Sequence, residues 1–308
     1  MFKYIVKRIL YLIPTIIGVS FVVFLLLYLS PGDAAIYKAG PEASDAEVQV
    51  LRESMGLADP FPVQYGRFLK GFVTEFDLGD SYVTGRSVSK TLLKVFPNTL
   101  KLTLFALSIT IVLGIGFGII SALKKNTLTD MIIMVAGLIG LAMPIFWTGL
   151  LLILLFSVKL KALPSSGFSS FKHMILPSFA LGLQSTAIIM RMTRSSMLEV
   201  LNSDYIKTAR AKGLKSSRVI LIHALKNAMI PVITSLGLQV GGLLGGSVLT
   251  ETIFSINGIG RMMVDAIKTR DYPIVLGGVI FIAISYAVIS IIVDILYTLF
   301  DPKMRVKG

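Results

Sequence analysis

An all-α, polytopic membrane protein with six transmembrane helices is the architecture this sequence predicts, and three observations carry it. The 308 residues are 54% hydrophobic and 15% charged, whereas soluble domains carry about 25% charged residues. The mean hydropathy of +0.80 comes from apolar runs separated by polar islands, and ~20 apolar residues suffice to cross a bilayer as a helix. Cysteine is absent, so neither a disulfide framework nor a thiolate metal site is available.

Residues 1–30 form the N-terminal end and the first span. Lys3, Lys7 and Arg8 precede an apolar run from Ile9 to Leu29. That run exceeds the ~7–15 residues of a signal core, so it reads as an anchor with its N-terminus in the cytoplasm. Pro14 falls early in the helix, where a missing N–H costs little. Residues 31–97 hold no spanning run and are placed outside as a cap over the outer mouth, with direct substrate contact as the alternative. PGD at 31–33 predicts a turn, and Ser44–Met55 a short helix. Two prolines interrupt GLADPFPVQY, and GRFLKGFVTE at 66–75 reads as a weakly amphipathic stretch along the bilayer surface.

Residues 98–308 form a five-helix core. The second span runs from Leu102 to Leu123, with Gly114 and Gly118 on a face suited to close packing. The turn KKNTLTD leads to the third span, Met131–Val158, which GLAMPIFWTG interrupts at 140–149. Pro144 bends that helix at mid-membrane depth, where irregular backbone is tolerated if buried or lining a wet cavity. Pro144, Phe146 and Trp147 are therefore candidate pathway or gating residues, with a structural kink as the alternative. A polar loop at 159–173, including Ser165, lies outside with Ser81. The fourth span starts near Met174, bends at Pro177 and carries Arg191 and Arg194 at its inner end.

The fifth span runs from Ala228 to Leu249, with Gly237, Gly241 and Gly245 at four-residue spacing. Residues 251–273 are too charged to span and fall outside, with Phe254, Ile256, Ile259 and Met262 available to dip into the interface. The last span, Ile274–Phe300, holds Asp294, and an ion pair with Arg191 or Arg194 is the preferred reading of that acid. Six crossings put both termini in the cytoplasm. Inside segments carry sixteen Lys/Arg against four acids, and outside segments fourteen against twelve. Eight of the outer cations lie in the long stretch between the first two spans, where charge weighs little on topology. The net charge of +13 is thus topological, and no nucleic-acid partner is expected.

Between the fourth and fifth spans lies a basic island, a loop at 199–227 running on to Pro231. Asp204 is placed to cap a short helix, and Gly213 to end it in a left-handed conformation. Tyr205, Ile206, Ala209 and Gly213 share one face, while Lys207 and Arg210 point elsewhere. A helix this short is marginal alone, and a partner protein is the expected surface for it.

DYIKTARAKGL at 204–214, HALKN at 223–227 and Pro231 resemble the cytoplasmic coupling loop of ABC importer permeases, in the dipeptide/oligopeptide/nickel branch. Against the general EAA, three residues, Gly, nine residues, I-x-L-P pattern, Lys207, Thr208 and Ala209 stand at EAA and Gly213 at the glycine. His223, Leu225 and Lys226 stand at I, L and P, and four of the seven positions depart from the pattern. SPGD, PVQY, FDLGDSYVTGRSV, FPNTL, LTETIF, DAIKTRDYP and DILYTLFDPK resemble the same branch. The resemblance implies the type I importer permease fold and a coupling helix that docks into a groove on an ATPase subunit. Its coupling residues would be Asp204, Tyr205, Ile206, Lys207, Thr208, Ala209, Arg210, Ala211, Lys212, Gly213, His223 and Asn227. It also implies a homologous second permease, two ATPase subunits holding ATP and Mg, an extracytoplasmic binding protein and surrounding membrane lipid. The chain itself carries no GxxxxGK[ST] phosphate loop, so no cofactor and no enzymatic activity are expected of it. Short peptides are the expected cargo, with nickel or its chelates as the alternative. A self-contained secondary transporter is the reading from a different class, and only Asp294 offers it an intramembrane charge.

Overall fold

Twelve helices account for the regular structure of this computed structural model, which describes the backbone of residues 2–300 and the side chains of residue 8 and of 10–293. Asp80 and Ser87 form an isolated β-bridge; no strand occurs among the described residues. We number the helices α1 Phe2–Leu29, α2 Ala34–Ala39, α3 Asp45–Ser54, α4 Phe61–Glu75 and α5 Val88–Leu123. Then follow α6 Leu128–Ala142, α7 Ile145–Lys159, α8 Phe171–Leu201, α9 Asp204–Ala211, α10 Ser216–Ile253, α11 Ile259–Lys268 and α12 Tyr272–Phe300. By length and composition, α1, α5, α8, α10 and α12 are each able to cross a membrane, and α6 with α7, taken as one broken span, completes six. The chain is a multi-pass membrane protein.

Two spans begin well before their apolar runs. In α5 the residues Val88, Leu92, Val95, Thr99 and Leu102 are all buried, at three- and four-residue spacing. This one-sided pattern makes a helix of a stretch that Lys90, Lys94 and Lys101 keep off the hydropathy signal. In α10 the buried residues run Val219, Ala224, Ala228 and Val232. The five-residue first step coincides with a π-type turn over Val219–Ala224.

The described chain forms two compact units: one takes in Phe2–Thr99 and Ile256–Ala287, the other Leu100–Ser255 and the chain from Val288 onward. In the first unit, Pro60 and Pro62 do not interrupt a helix. They open α4, where free N–H groups make proline harmless. The aromatic side of α4 packs on α1: Phe61 and Tyr65 meet Phe21, Phe24 and Tyr28 edge-on at 5.3–5.7 Å. Ser44 and Glu47 close α3 with a reciprocal capping box, and those hydrogen bonds hold the Glu47 carboxyl below its ordinary pKa. Asp33 caps α2 through Ala35 N at 2.8 Å and accepts from Arg52 Nε at 2.9 Å.

The buried Asp271 carboxylate organises the loop before α5 by accepting from Ser81 Oγ and from Tyr82 N at 2.9 Å. Burial, reinforced by the Asp271 charge, pushes the Tyr82 phenol up to about 12. Ser81, expected to be an accessible outer residue, is buried because this bond consumes it. Ile256 and Ile259, expected at the interface, are buried as well, and Ile259 N donates to Thr99 Oγ1 at 2.9 Å.

In the second unit, α8 is the central helix. Glycines let its neighbours approach: a Cβ on Gly118 would lie 2.7 Å from Met190 O and 2.5 Å from Thr193 Cβ, and one on Gly182 would lie 2.9 Å from Ala106 O. Pro177 lies within the continuous α8. Phe254, expected at the interface, is buried beside Gly149. The turn of α10 at Gly242 and Gly245 is open. The Gly118→Ala variant must displace α8 backbone, at about 1–3 kcal/mol of overpacking. In purified protein it is expected to unfold several degrees below wild type, while Gly242→Ala unfolds with wild type. Equal unfolding temperatures for the two variants in a thermal scan remove the close-approach argument.

Candidate functional site: a coupling helix and its seat

The basic island folds as α9 followed directly by the start of α10. Ser203, not Asp204, occupies the position before the helix, and its hydroxyl donates to Val200 O at 2.6 Å instead of capping. Asp204 is the first helical residue, where a negative charge suits the helix dipole, and it pairs at the surface with Lys207 at 2.8 Å. At the other end Gly213 has φ +77°. Its N–H donates to Arg210 O at 3.0 Å, and Leu214 N to Ala209 O at 3.4 Å. This is a Schellman ending, and Leu214 makes the accompanying apolar contact.

The apolar side of α9 does not wait for a partner. Ile206 is fully buried in a cluster with Ala122, Met197, Val219, Ala224 and Ala228, and Ala209 and Leu214 pack against its edge. The expected face thus divides. Ile206 and Ala209 turn into the chain, while Tyr205 stays exposed and its hydroxyl accepts from Asn227 Nδ2 at 3.1 Å. The exposed Asn227 also donates to the carbonyl of the partly buried His223 at 2.9 Å, and so ties the start of α10 to α9. What remains outward is a basic surface of Lys207, Thr208, Arg210, Ala211, Lys212, Lys215 and Arg218.

Behind this seat lies an ion pair that sequence reasoning assigned differently. Arg194 engages Asp130, in the first turn of α6, with Nε on one oxygen and Nη2 on the other, both at 2.8 Å. Asp130 is 4% exposed and also accepts from Ser121 Oγ and from Asn126 N at 3.0 Å. Arg191 is exposed. The side chain of Asp294 lies outside the described residues. Asp130 escaped notice because an acid in a turn before a helix reads as an ordinary first-turn charge.

The break in the third span is a bend of 108° between α6 and α7. Pro144 offers no N–H, so α6 stops at Ala142 and α7 restarts at Ile145. Gln184 Nε2 of α8 donates to Met143 O at 2.9 Å, and Thr148 Oγ1 to Pro144 O at 3.2 Å. Phe146 and Trp147 project from the restarted turn, each about half exposed. Nearby, Ser185 donates to Gln239 of α10 at 3.0 Å. Gln184 and Gln239 are neutral, and so gave no charge signal within their apolar runs.

A charge in the Ile206 cluster removes the seat. Purified Ile206→Asp protein is expected to be cut by trypsin after Lys207, Arg210 or Lys212 at least tenfold faster than wild type. Gly213→Val strains a left-handed residue by about 1–2 kcal/mol and is expected to fall between the two, with Gly213→Asn close to wild type. Unchanged cleavage of Ile206→Asp contradicts an internally seated helix.

Known proteins fit this geometry. Residues 114–306 match the family of binding-protein-dependent transport system inner membrane components, and residues 1–103 match the N-terminal region of such membrane components. The dipeptide transport system permease protein DppB of Alkalihalophilus pseudofirmus is 42% identical over 333 aligned residues, covering 99% of this chain and 100% of that one. The glutathione transport system permease protein GsiC of Pectobacterium atrosepticum is 41% identical over 307 residues and 100% of both chains. In fold, the chain is similar to the MetNI methionine ABC transporter in an inward-facing conformation, with TM-score 0.57, 16% identity, and 69% of this chain and 97% of that chain covered. The chain belongs to the binding-protein-dependent transport system inner membrane components and is a permease of the ABC importer type.

Proposed function

We propose that this permease imports short peptides, as one membrane subunit of a complex whose ATP is bound and hydrolysed elsewhere. The observation that carries the substrate is the full-length similarity to two relatives named for a dipeptide and for glutathione, itself a tripeptide. Nickel or its chelates are the alternative raised by the sequence. The partners of the proposal are a homologous second permease, two ATPase subunits carrying ATP and Mg, an extracytoplasmic binding protein, and the bilayer. The ATPase subunits would meet the outward basic side of α9, since Ile206 is already committed to the chain. Phe146 and Trp147, exposed beside the break at Pro144, are the proposed pathway residues. A wide conduit without fixed charges suits cargo whose side chains vary, leaving recognition to the binding protein.

The uptake assay compares cells with and without the gene, offered labelled di- and tripeptides and, separately, Ni²⁺ with and without chelators. Peptide uptake is expected to fall at least tenfold without the gene. Gene-dependent nickel accumulation with unchanged peptide uptake overturns the substrate assignment.

The proposed orientation puts both termini and the turn at Lys125 in the cytoplasm, with residues 31–97 and 159–173 outside. Cysteines introduced for the exposed Glu75 and Ser165 are expected to react with an impermeant thiol reagent in intact cells, and one for the exposed Lys125 only after lysis. The native chain, with no cysteine, gives no background. Labelling of Lys125→Cys in intact cells reverses the orientation.

A further inference from the structure

The Asp130–Arg194 pair is built more completely than an incidental bridge. All its lone-pair directions are used: Ser121 Oγ, Asn126 N and the two guanidinium donors of Arg194 converge on one carboxylate that is 4% exposed. The bidentate form fixes direction as well as distance. Its side-chain donors and acceptor come from three helices, α5 through Ser121, α6 through Asp130 and α8 through Arg194.

Two placements give the pair a mechanical meaning. On one side it adjoins the seat of α9: Ser121 is the neighbour of Ala122, Arg194 lies one turn before Met197, and both Ala122 and Met197 belong to the cluster that buries Ile206. On the other side it grips the first turn of α6. That helix, fifteen residues and hence about 22 Å long, ends at the break before Phe146 and Trp147. Gly137 and Gly140 bring the body of α6 against Met190 and Leu183 of α8. A displacement of α9 thus meets a rigid rod fixed at its near end by charge.

We propose that Arg194 and Asp130 are positioning residues for coupling: they lock the near end of α6 to the α9 seat, so that movement of α9 reaches the broken turn at Met143–Trp147. The inference rests on the importer reading but not on the identity of its cargo. Breaking one partner strands a buried charge, so both charges are removed together. In Asp130→Asn/Arg194→Gln the Asn oxygen can keep accepting from Asn126 N, its amide can donate to the Ser121 hydroxyl in place of the second oxygen, and the partner at position 194 is neutral.

The test uses the assembled complex of the permease with its ATPase subunits, with a fluorophore on Trp147→Cys, the only thiol of this chain, and the partner subunits freed of reactive cysteine. ATP, Mg and vanadate are expected to change the fluorescence at position 147 in the otherwise native complex. In the double variant ATP hydrolysis stays within twofold of the native rate, while the nucleotide-driven signal falls at least fivefold. Arg194→Lys, which keeps the charge but loses the fork, is expected to retain an intermediate signal. A full signal in the double variant overturns the proposal. So does failure of both variants to assemble, which marks the pair as purely structural. Import is measured separately on the unlabelled wild-type complex: if that complex imports no peptide while the labelled one gives the signal, the peptide assignment is refuted and this inference stands.

Discussion

In hydrocarbon a backbone carbonyl without a donor costs several kcal/mol, and this constraint governs the most irregular part of the permease. Pro144 has no N–H to give Gly140 O, and the break between Ala142 and Ile145 leaves Met143 O outside either helix, so the third span must either unravel or be held from outside. It is held from outside, by the Gln184 side chain on Met143 O. Gly149 allows α7 to lie against Ile253 and Phe254 after the bend. A sharp corner within an apolar sequence therefore depends on one neutral amide from a neighbouring helix, and that corner sets where Phe146 and Trp147 emerge.

The division of labour on α9 follows from the same economy of burial. A helix of eight residues gains too little from its own hydrogen bonds to persist. Burying Ile206 contributes roughly 1.5–3 kcal/mol, and the Schellman ending at Gly213 satisfies its final carbonyls. The helix is thereby preformed, and its charged side is free for contact. An element whose apolar face is already occupied moves with the body that occupies it.

Much of this was legible in the sequence, because long apolar runs and a basic island are signals that period and composition carry directly. The left-handed Gly213, the break at Pro144 and the close-packing glycines at 114 and 118 each rest on a local steric rule, and each is found in the structure. What local rules miss is the choice of partner. Hydropathy starts the second span only at Leu102 because Lys90, Lys94 and Lys101 dilute the average before it, although only one side of that helix is buried. Ile206 was assigned to a partner protein because nothing in the chain says that Met197 and Val219 converge on it. Arg194 and Asp130 stand 64 residues apart, and no pattern in either neighbourhood points to the other.

The hydrogen bond from Ser81 to Asp271 spans 190 positions of the chain, and this separation has a consequence for biogenesis. During synthesis at ~5–20 residues per second, residue 271 follows residue 81 by about 10–40 s. Throughout that interval the 77–87 loop lacks the carboxylate that receives Ser81 Oγ and Tyr82 N. The loop made early is finished late, and until then it must be kept from proteases without the bonds that hold it in the finished permease.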